Sequence, residues 1–540
     1  MHACLEVAEM RAAICNNVAD PPALLALAMT CRDFRDPALD ELYYEIHSLA
    51  HLLMCMPRDL WAIETTENHG RLLLFRRAML RRDWFILQTY ACRVRIVHVN
   101  WDVDNHLTVV DPNAFGAVQV HSAGVLLPSL RHLWLKTKGD NHRGLLLCDV
   151  ALFPHLFFAA CLRTLTLHEV RSDSVHVLSA ASLASPYIED LDLSICGQVG
   201  EDILETLNDA ASRLTKLRVL KLSLVEWKTT LPILPILTAL APLSSLEKIR
   251  LECHNQDKSK PTNPGCNLDT SPIPLKSLRT LELTASPCQV MQVMAALPDL
   301  PQLTRVLATF EALQADETFH QAMVTLAKAL ATSPVRNIAL YFEMFYLPGL
   351  LSFGALRPLF KLHKLRHLWL LNYPCPSFDN AMLAELASAF PDLRSLSMTL
   401  CILRTTDPAE SATNVTLEGL ATLLRYCTKL QRLSMAANLT AAANPDVVSK
   451  TAVWVSEVHQ TQLQRWEVCN SVIGTDDVKF VARTLTCIAP NLRNLELPVG
   501  EYRVHCRING EGVRCWKDVE EQLEDYRFTR RYSRMRVASG

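Results

Sequence analysis

The chain has 540 residues, of which 49% are hydrophobic and 20% charged, and its formal net charge is −2. That length exceeds one ordinary core, so several domains or one extended repeat array is expected, and the composition excludes a disordered chain. A nucleic-acid binder would carry a basic excess, and none exists here.

In chain order, residues 1–48 read as three helices. LEVAEMRAAICNNV (5–18) places Val7, Met10, Ile14 and Val18 on one face. Asp20-Pro21 opens a helix running to about Arg32, with Leu24, Leu27, Ala28 and Cys31 together. Asp36-Pro37 opens a third, with Leu39, Leu42, Tyr43 and Ile46 inward, and Cys31-Arg-x-Phe34 forms the hinge between them. In both starts the aspartate caps free amides, and proline brings a preset φ and no amide of its own. A module this small is marginal alone and gains stability by burying apolar surface against a partner or the next domain. Residues 49–92 read as a helical linker packing on the first repeats, with the basic run Arg76-Arg77 and Arg81-Arg82 on a helix face that is either solvated or set against an acidic partner patch.

From 93 to 500 the phrase apolar-x-x-apolar-x-apolar recurs fourteen times, 25 to 37 residues apart, as in LRHLWL (130–135), LRTLTL (162–167) and LRSLSM (393–398). The last four residues of each phrase alternate as a half-buried strand does. Between phrases the spacing is helical: Leu417, Leu420, Leu424, Cys427 and Leu430 share a face, as do Val478, Val481, Leu485, Ile488 and Leu492. No single strand–helix unit can bury both apolar faces, so stacking is expected to give an α/β solenoid with parallel strands inside and helices outside. The polar, proline-rich stretches 252–274 and 405–414 read as surface loops, and 501–540 as a cap over the last repeat with a frayed tail.

Chemistry-bearing motifs are scarce. The eighteen cysteines include no Cys-x-x-Cys, which points to free thiols in a reducing compartment, not to a zinc site. No phosphate-cradling loop, nucleophile elbow or zinc-protease helix occurs. Asp102, Asp104, Asn105 and His106 read as a polar turn. The chain is therefore expected to be no enzyme and to need no cofactor or metal. The start lacks the apolar run of a signal peptide. The most apolar window, Ile338 to Phe353, holds Glu343, Pro348 and Gly349 and reads as core, so no membrane span is expected. On the exposed strand positions, Trp134, Tyr341, Trp369 and Arg432 are candidate anchors for a protein ligand; the alternative is a merely soluble face.

The repeat phrases resemble leucine-rich repeats of the long kind, with a helix on the convex side; several spacings exceed the usual upper limit of about 29 residues. The front module resembles the F-box. The matching elements are Glu9, Met10 and Ile14, then Thr30-Cys31-Arg32-x-Phe34, Pro37-Ala38-Leu39 and an aromatic at Tyr43 or Tyr44. Fungal F-box proteins with leucine-rich repeats often continue with a phrase similar to Met56-Pro57-Arg58-Asp59-Leu60-Trp61. Val7 and Ala8 stand where the family often has proline, and tyrosine replaces a frequent tryptophan. The resemblance implies a non-catalytic substrate receptor of an SCF-type ubiquitin ligase, cytoplasmic or nuclear. The F-box would hold a Skp1-like adaptor and its cullin complex, and the repeats an unknown protein substrate. It makes Leu5, Val7, Met10, Ile14, Leu24 and Leu27 candidate adaptor contacts, with the internal core of the module as the competing role. The alternative is a repeat scaffold that binds proteins without ligase function.

Overall fold

The structure, a computed structural model, describes residues 6–66, 70–100, 108–122, 124–136, 153–171, 174–197, 200–227, 233–255, 272–310, 316–343, 351–373, 375, 378–400, 413–440, 448–449, 451, 453, 458, 461–469, 471–497 and 510–538. The chain divides into two compact units, Met1–Asp257 and Lys258–Gly540. The division falls inside the polar stretch 252–274, most of which lies outside the described residues, as do residues 405–412 of the second expected loop and Asp102 to His106.

The first unit opens with helices α1 (Ala8–Asn16), α2 (Pro21–Thr30) and α3 (Arg32–Leu42). Asp20 caps α2 as expected: the Ala23 amide donates to its carboxylate at 3.1 Å. Cys15, Leu24, Phe34 and Ala38 form the buried core, with Ile14, Val18, Leu27, Ala28, Cys31 and Leu42 packed around it. The expected start of the third helix at Asp36 is corrected. The helix begins at Arg32, Cys31 alone is the extended hinge (φ −156°, ψ 163°), and Pro37 lies inside the helix. Phe34 explains the shift, because only a helix already formed there carries its ring into the core. The proline removes one helical hydrogen bond. In place of capping, Asp36 accepts from Arg93 at 2.7 Å, and Asp40 accepts from the same guanidinium.

The expectation of a purely helical linker over 49–92 is also corrected. After strand β1 (Glu45–Ile46) and helix α4 (Leu49–Leu53), strands β2 (Trp61–Thr66) and β3 (Gly70–Phe75) form an antiparallel pair, followed by helix α5 (Arg81–Ala91). Beyond strand β4 (Ile96–Asn100), strand β5 (Thr108–Val110) joins β3 in parallel. Residues 72–74 are a run of three leucines, which gives no alternation and hides the strand. Arg77 does not lie on a helix. Its guanidinium reaches Asp59 at 2.7 Å and the fully buried Asp83 at 2.6 Å, and Asp83 also accepts the Leu80 amide at 2.9 Å. The Arg77 hydrogen bonds hold both carboxylates below their ordinary range.

The remaining strands of this unit are β6 (His132–Lys136), β7 (Thr164–Arg171), β8 (Asp190–Cys196), β9 (Val219–Trp227) and β10 (Lys248–Asn255). They form one parallel sheet in the order β1-β4-β6-β7-β8-β9-β10. The second unit carries β11 (Thr280–Thr284), β12 (Arg305–Phe310), β13 (Asn337–Phe342), β14 (His367–Tyr373), β15 (Ser395–Leu400), β16 (Arg432–Met435), β17 (Arg465–Glu467) and β18 (Asn494–Glu496), each paired in parallel with the next. The phrases bury their apolar positions, with Leu497 of the last one only half-buried: Leu365, Leu368 and Leu370 are each at most 3% exposed. Burial of one such leucine contributes about 1.5–3 kcal/mol. Each unit is thus an array of strand–helix repeats around a parallel sheet, the α/β arrangement expected from the periodicity. Phe310, Phe319, Phe342 and Tyr373 extend the core with ring centroids 5.3–5.6 Å apart. Burial pushes the Cys427 thiol up to about 12. No helix among the described residues is long and apolar enough to cross a membrane.

The second unit ends in a helix over Gly510–Ala538. Its buried residues Cys515, Trp516, Val519 and Leu523 follow helical spacing, and its neighbour is the helix Val478–Ile488. Trp516 meets Trp466 edge-on at 5.4 Å and donates to the Ser471 carbonyl at 3.2 Å. The substitution Trp516→Ala is expected to destabilise the second unit by about 3–5 kcal/mol. Thermal melting followed by circular dichroism checks this; an unchanged midpoint would show that the helix contributes no cap.

Candidate functional site

Two kinds of surface carry the candidate residues. The first is the front module. Val7, just before α1, is 46% and Met10 on α1 is 47% exposed, while Leu25 is 50% and Met29 79% exposed on α2. Of the sequence candidates, Val7 and Met10 are thus free to meet a partner. Ile14 and Leu27 are half-buried against the module core, and Leu24 is inside it at 5% exposure, so Leu24 supports the surface without forming it. Leu5 lies outside the described residues. Leu25 and Met29 were missed. The signal was present: PPALLALAMT is apolar nearly all round, and a helix with one core-facing side must leave its other apolar residues outside.

The second surface is the exposed strand positions. Trp134 lies in the first unit, where the strand register aligns His98, Trp134, Thr166, Asp192 and Lys221. Its ring sits 4.2 Å from that of His98 and 6.0 Å from that of His168. Beyond it Asp192 meets Lys221 at 3.1 Å and His168 at 3.6 Å. Asp190 is half-buried, one of its oxygens has no hydrogen-bond partner, and desolvation raises its pKa. This face is mixed in charge.

Tyr341, Trp369 and Arg432 lie in the second unit. Ala339 pairs with Trp369, and Tyr341 with Leu371, which places the two aromatics on one face of neighbouring strands. Arg305, Asn337, His367, Ser395, Arg432 and Arg465 form the adjoining row. The Arg305 guanidinium lies 5.8 Å from the Trp369 ring centroid. At the strand entries the Arg366 amide donates to Arg336, and that of Arg394 to Arg366, at 2.8 and 2.7 Å, so three arginines stand on successive rungs. Among the described residues, no carboxylate is in salt-bridge reach of Arg305, Arg366, Arg394 or Arg432; neighbouring Asp392 is held by Lys429 at 2.5 Å. His367 sits in the middle of these four arginines. Burial, then their charges, lower its pKa below 6.5.

Sequence reasoning named Arg432 alone of this group. The others occupy the second or third place of repeat phrases, and only the register shows that they are neighbours. The arrangement offers planar donors and aromatic faces suited to carboxylate or phosphoryl groups on a peptide.

No family model and no curated relative matches this chain. Among solved structures it is similar to a chain of the Toll–Spatzle complex of Drosophila, at 14% identity over 78% of this chain and 53% of that one, with a TM-score of 0.36. It is also similar to a protein from Bacteroides fragilis, at 12% identity over 58% of this chain and 66% of that one, with a TM-score of 0.25. The match spans about half the length of the first of these.

The lowered pKa of His367 has a sign. Between its folded and unfolded values the unfolded chain binds more protons, so stability contributed here is present above that window and is lost as pH falls through it. Replacing Arg394 by glutamine is expected to move the pKa of His367 up towards 6.5. Ring-proton NMR against pH checks this; an unchanged titration would show that the arginines do not act on it.

Proposed function

We propose that this chain is a non-catalytic protein-recognition subunit. Its front module docks on a Skp1-like adaptor of a cullin ubiquitin ligase, and its repeats hold the target. The observation that carries the reading is the division of labour in the module. Its core is filled by Cys15, Leu24, Phe34 and Ala38, yet Val7, Met10, Leu25 and Met29 remain exposed. Apolar side chains left in water by a module with a complete core are suited to burial against a partner. Holding a target beside the ligase's conjugating enzyme accelerates transfer by proximity, with no chemistry from this chain.

On the repeats, the second unit's face favours an acidic target segment. Four arginines there have no carboxylate in reach among the described residues, and Trp369 and Tyr341 lie beside them. Such a segment would pair with guanidinium forks that have no salt-bridge partner among the described residues.

Two experiments test the two halves. Co-expression of the full chain with a Skp1-like adaptor should yield a co-purifying complex, weakened at least about tenfold by Leu25→Glu with Met29→Glu. Both side chains are exposed, so the fold should survive. No complex, or one indifferent to these changes, would leave the chain as a repeat scaffold. Independently, Arg366→Glu with Arg394→Glu should abolish capture of acidic peptides, and wild-type capture should weaken steeply with salt. Salt-insensitive capture would remove the basic face from the recognition surface.

A further inference from the structure

The geometry points to a divalent-metal site on the first unit, built from Glu45, His47 and His98, with zinc as the ion its donors suit. Glu45 lies on β1, His47 directly follows that strand, and His98 lies on the paired strand β4. Glu45 and His47 flank Ile46, which pairs with Val97 next to His98, and the His47 and His98 rings lie 5.8 Å apart. One Glu45 carboxylate oxygen is 3.9 Å from His47 Nε2 and 3.6 Å from His98 Nδ1. All three candidate ligand atoms lie within 4.8 Å of one another. Zinc–ligand bonds of about 2.0–2.1 Å in a tetrahedron place ligand atoms about 3.3 Å apart. The two carboxylate distances therefore need to close by only a few tenths of an ångström, which exposed side chains can do.

The second shell is also in place. His47 Nδ1 lies 3.3 Å from the His98 carbonyl. With its proton on Nδ1, His47 donates there and turns the Nε2 lone pair towards Glu45. A backbone carbonyl fixing the far nitrogen of a ligating histidine is the usual way such a ligand is oriented. His98 is in turn held against the Trp134 ring, 4.2 Å away at 80°. Two imidazoles and a carboxylate suit zinc, and the fourth position is left to water.

Such an ion would have a mechanical effect. β1 has two residues and directly follows the front helices; the Arg95 and Ile96 amides both donate to the Tyr44 carbonyl at 3.0 Å. A metal bridging β1 and β4 would fasten this short strand to its neighbour and stabilise the native state by mass action.

The test uses the full chain with thiols blocked by N-ethylmaleimide, because exposed cysteines such as Cys92 and Cys487 bind zinc themselves. Titration with Zn2+ against a chromophoric chelator should show one more site in the wild type than in His47→Ala with His98→Ala, and Zn2+ should raise Tm in the wild type alone. Glu45→Gln, which barely alters shape but removes the anionic ligand, should lose the tight uptake at this site. Cu2+ should quench tryptophan emission, and Trp134→Phe should remove most of that quenching while leaving uptake intact. Equal stoichiometry in wild type and variants, or quenching unchanged by Trp134→Phe, would overturn the assignment.

Discussion

A parallel strand cannot satisfy its own amides, nor reach its neighbour by a tight turn. Every repeat strand therefore depends on the repeats beside it, through rungs such as Arg394 to Arg366 and Gln431 to Arg394. The buried leucines of each phrase hold these rungs in register: a slip of one residue would bring Leu368 and Leu370 to the outer face and His367 and Trp369 inward. That register makes a surface. Neighbouring strands stand about 4.8 Å apart, so residues from separate phrases become a continuous row, and arginines far apart in sequence act as one positive field on His367.

The same dependence creates a problem at each end, where a strand lacks a neighbour and a core lacks a cover. In the second unit the helix Gly510–Ala538 brings Trp516 onto Trp466 of the penultimate strand. In the first unit the two-residue β1 occupies the edge, and the hairpin β2–β3 with β5 forms a separate small sheet. Arg93 ties α3 to the entry of β4 through Asp36 and Asp40, and Arg77 ties the turn before β2 to the start of α5. Buried and partly buried ion pairs of this kind add direction that apolar packing alone does not supply. The front helices are thus tied to the sheet while their outer apolar faces stay open.

The fold was largely legible because its information is periodic. A phrase repeated with strand alternation, separated by helical spacing, admits few arrangements, and even LTRVLA (303–308), with alanine in its last apolar place, leads into β12. The failures occurred where period gave no guide. The run of leucines at 72–74 hid β3, and the Asp36-Pro37 pair imitated a helix start that Phe34 overrode. The candidate surfaces were less legible than the fold. Of the named candidates Val7 and Met10 are exposed and Leu24 lies in the core, while Leu25 and Met29, which were not named, are outside. An apolar residue on a helix has no label for which side its neighbours take.

The sequence by itself determined the class of architecture, the positions of the repeat strands and the lack of familiar catalytic motifs, because these depend on local spacing. Tertiary structure alone decided which side chains become neighbours across strands. His98 beside His47, Trp134 between two histidines and His367 among four arginines all depend on inter-repeat register. Register is set by burial of every phrase at once, so no single stretch of the chain contains it.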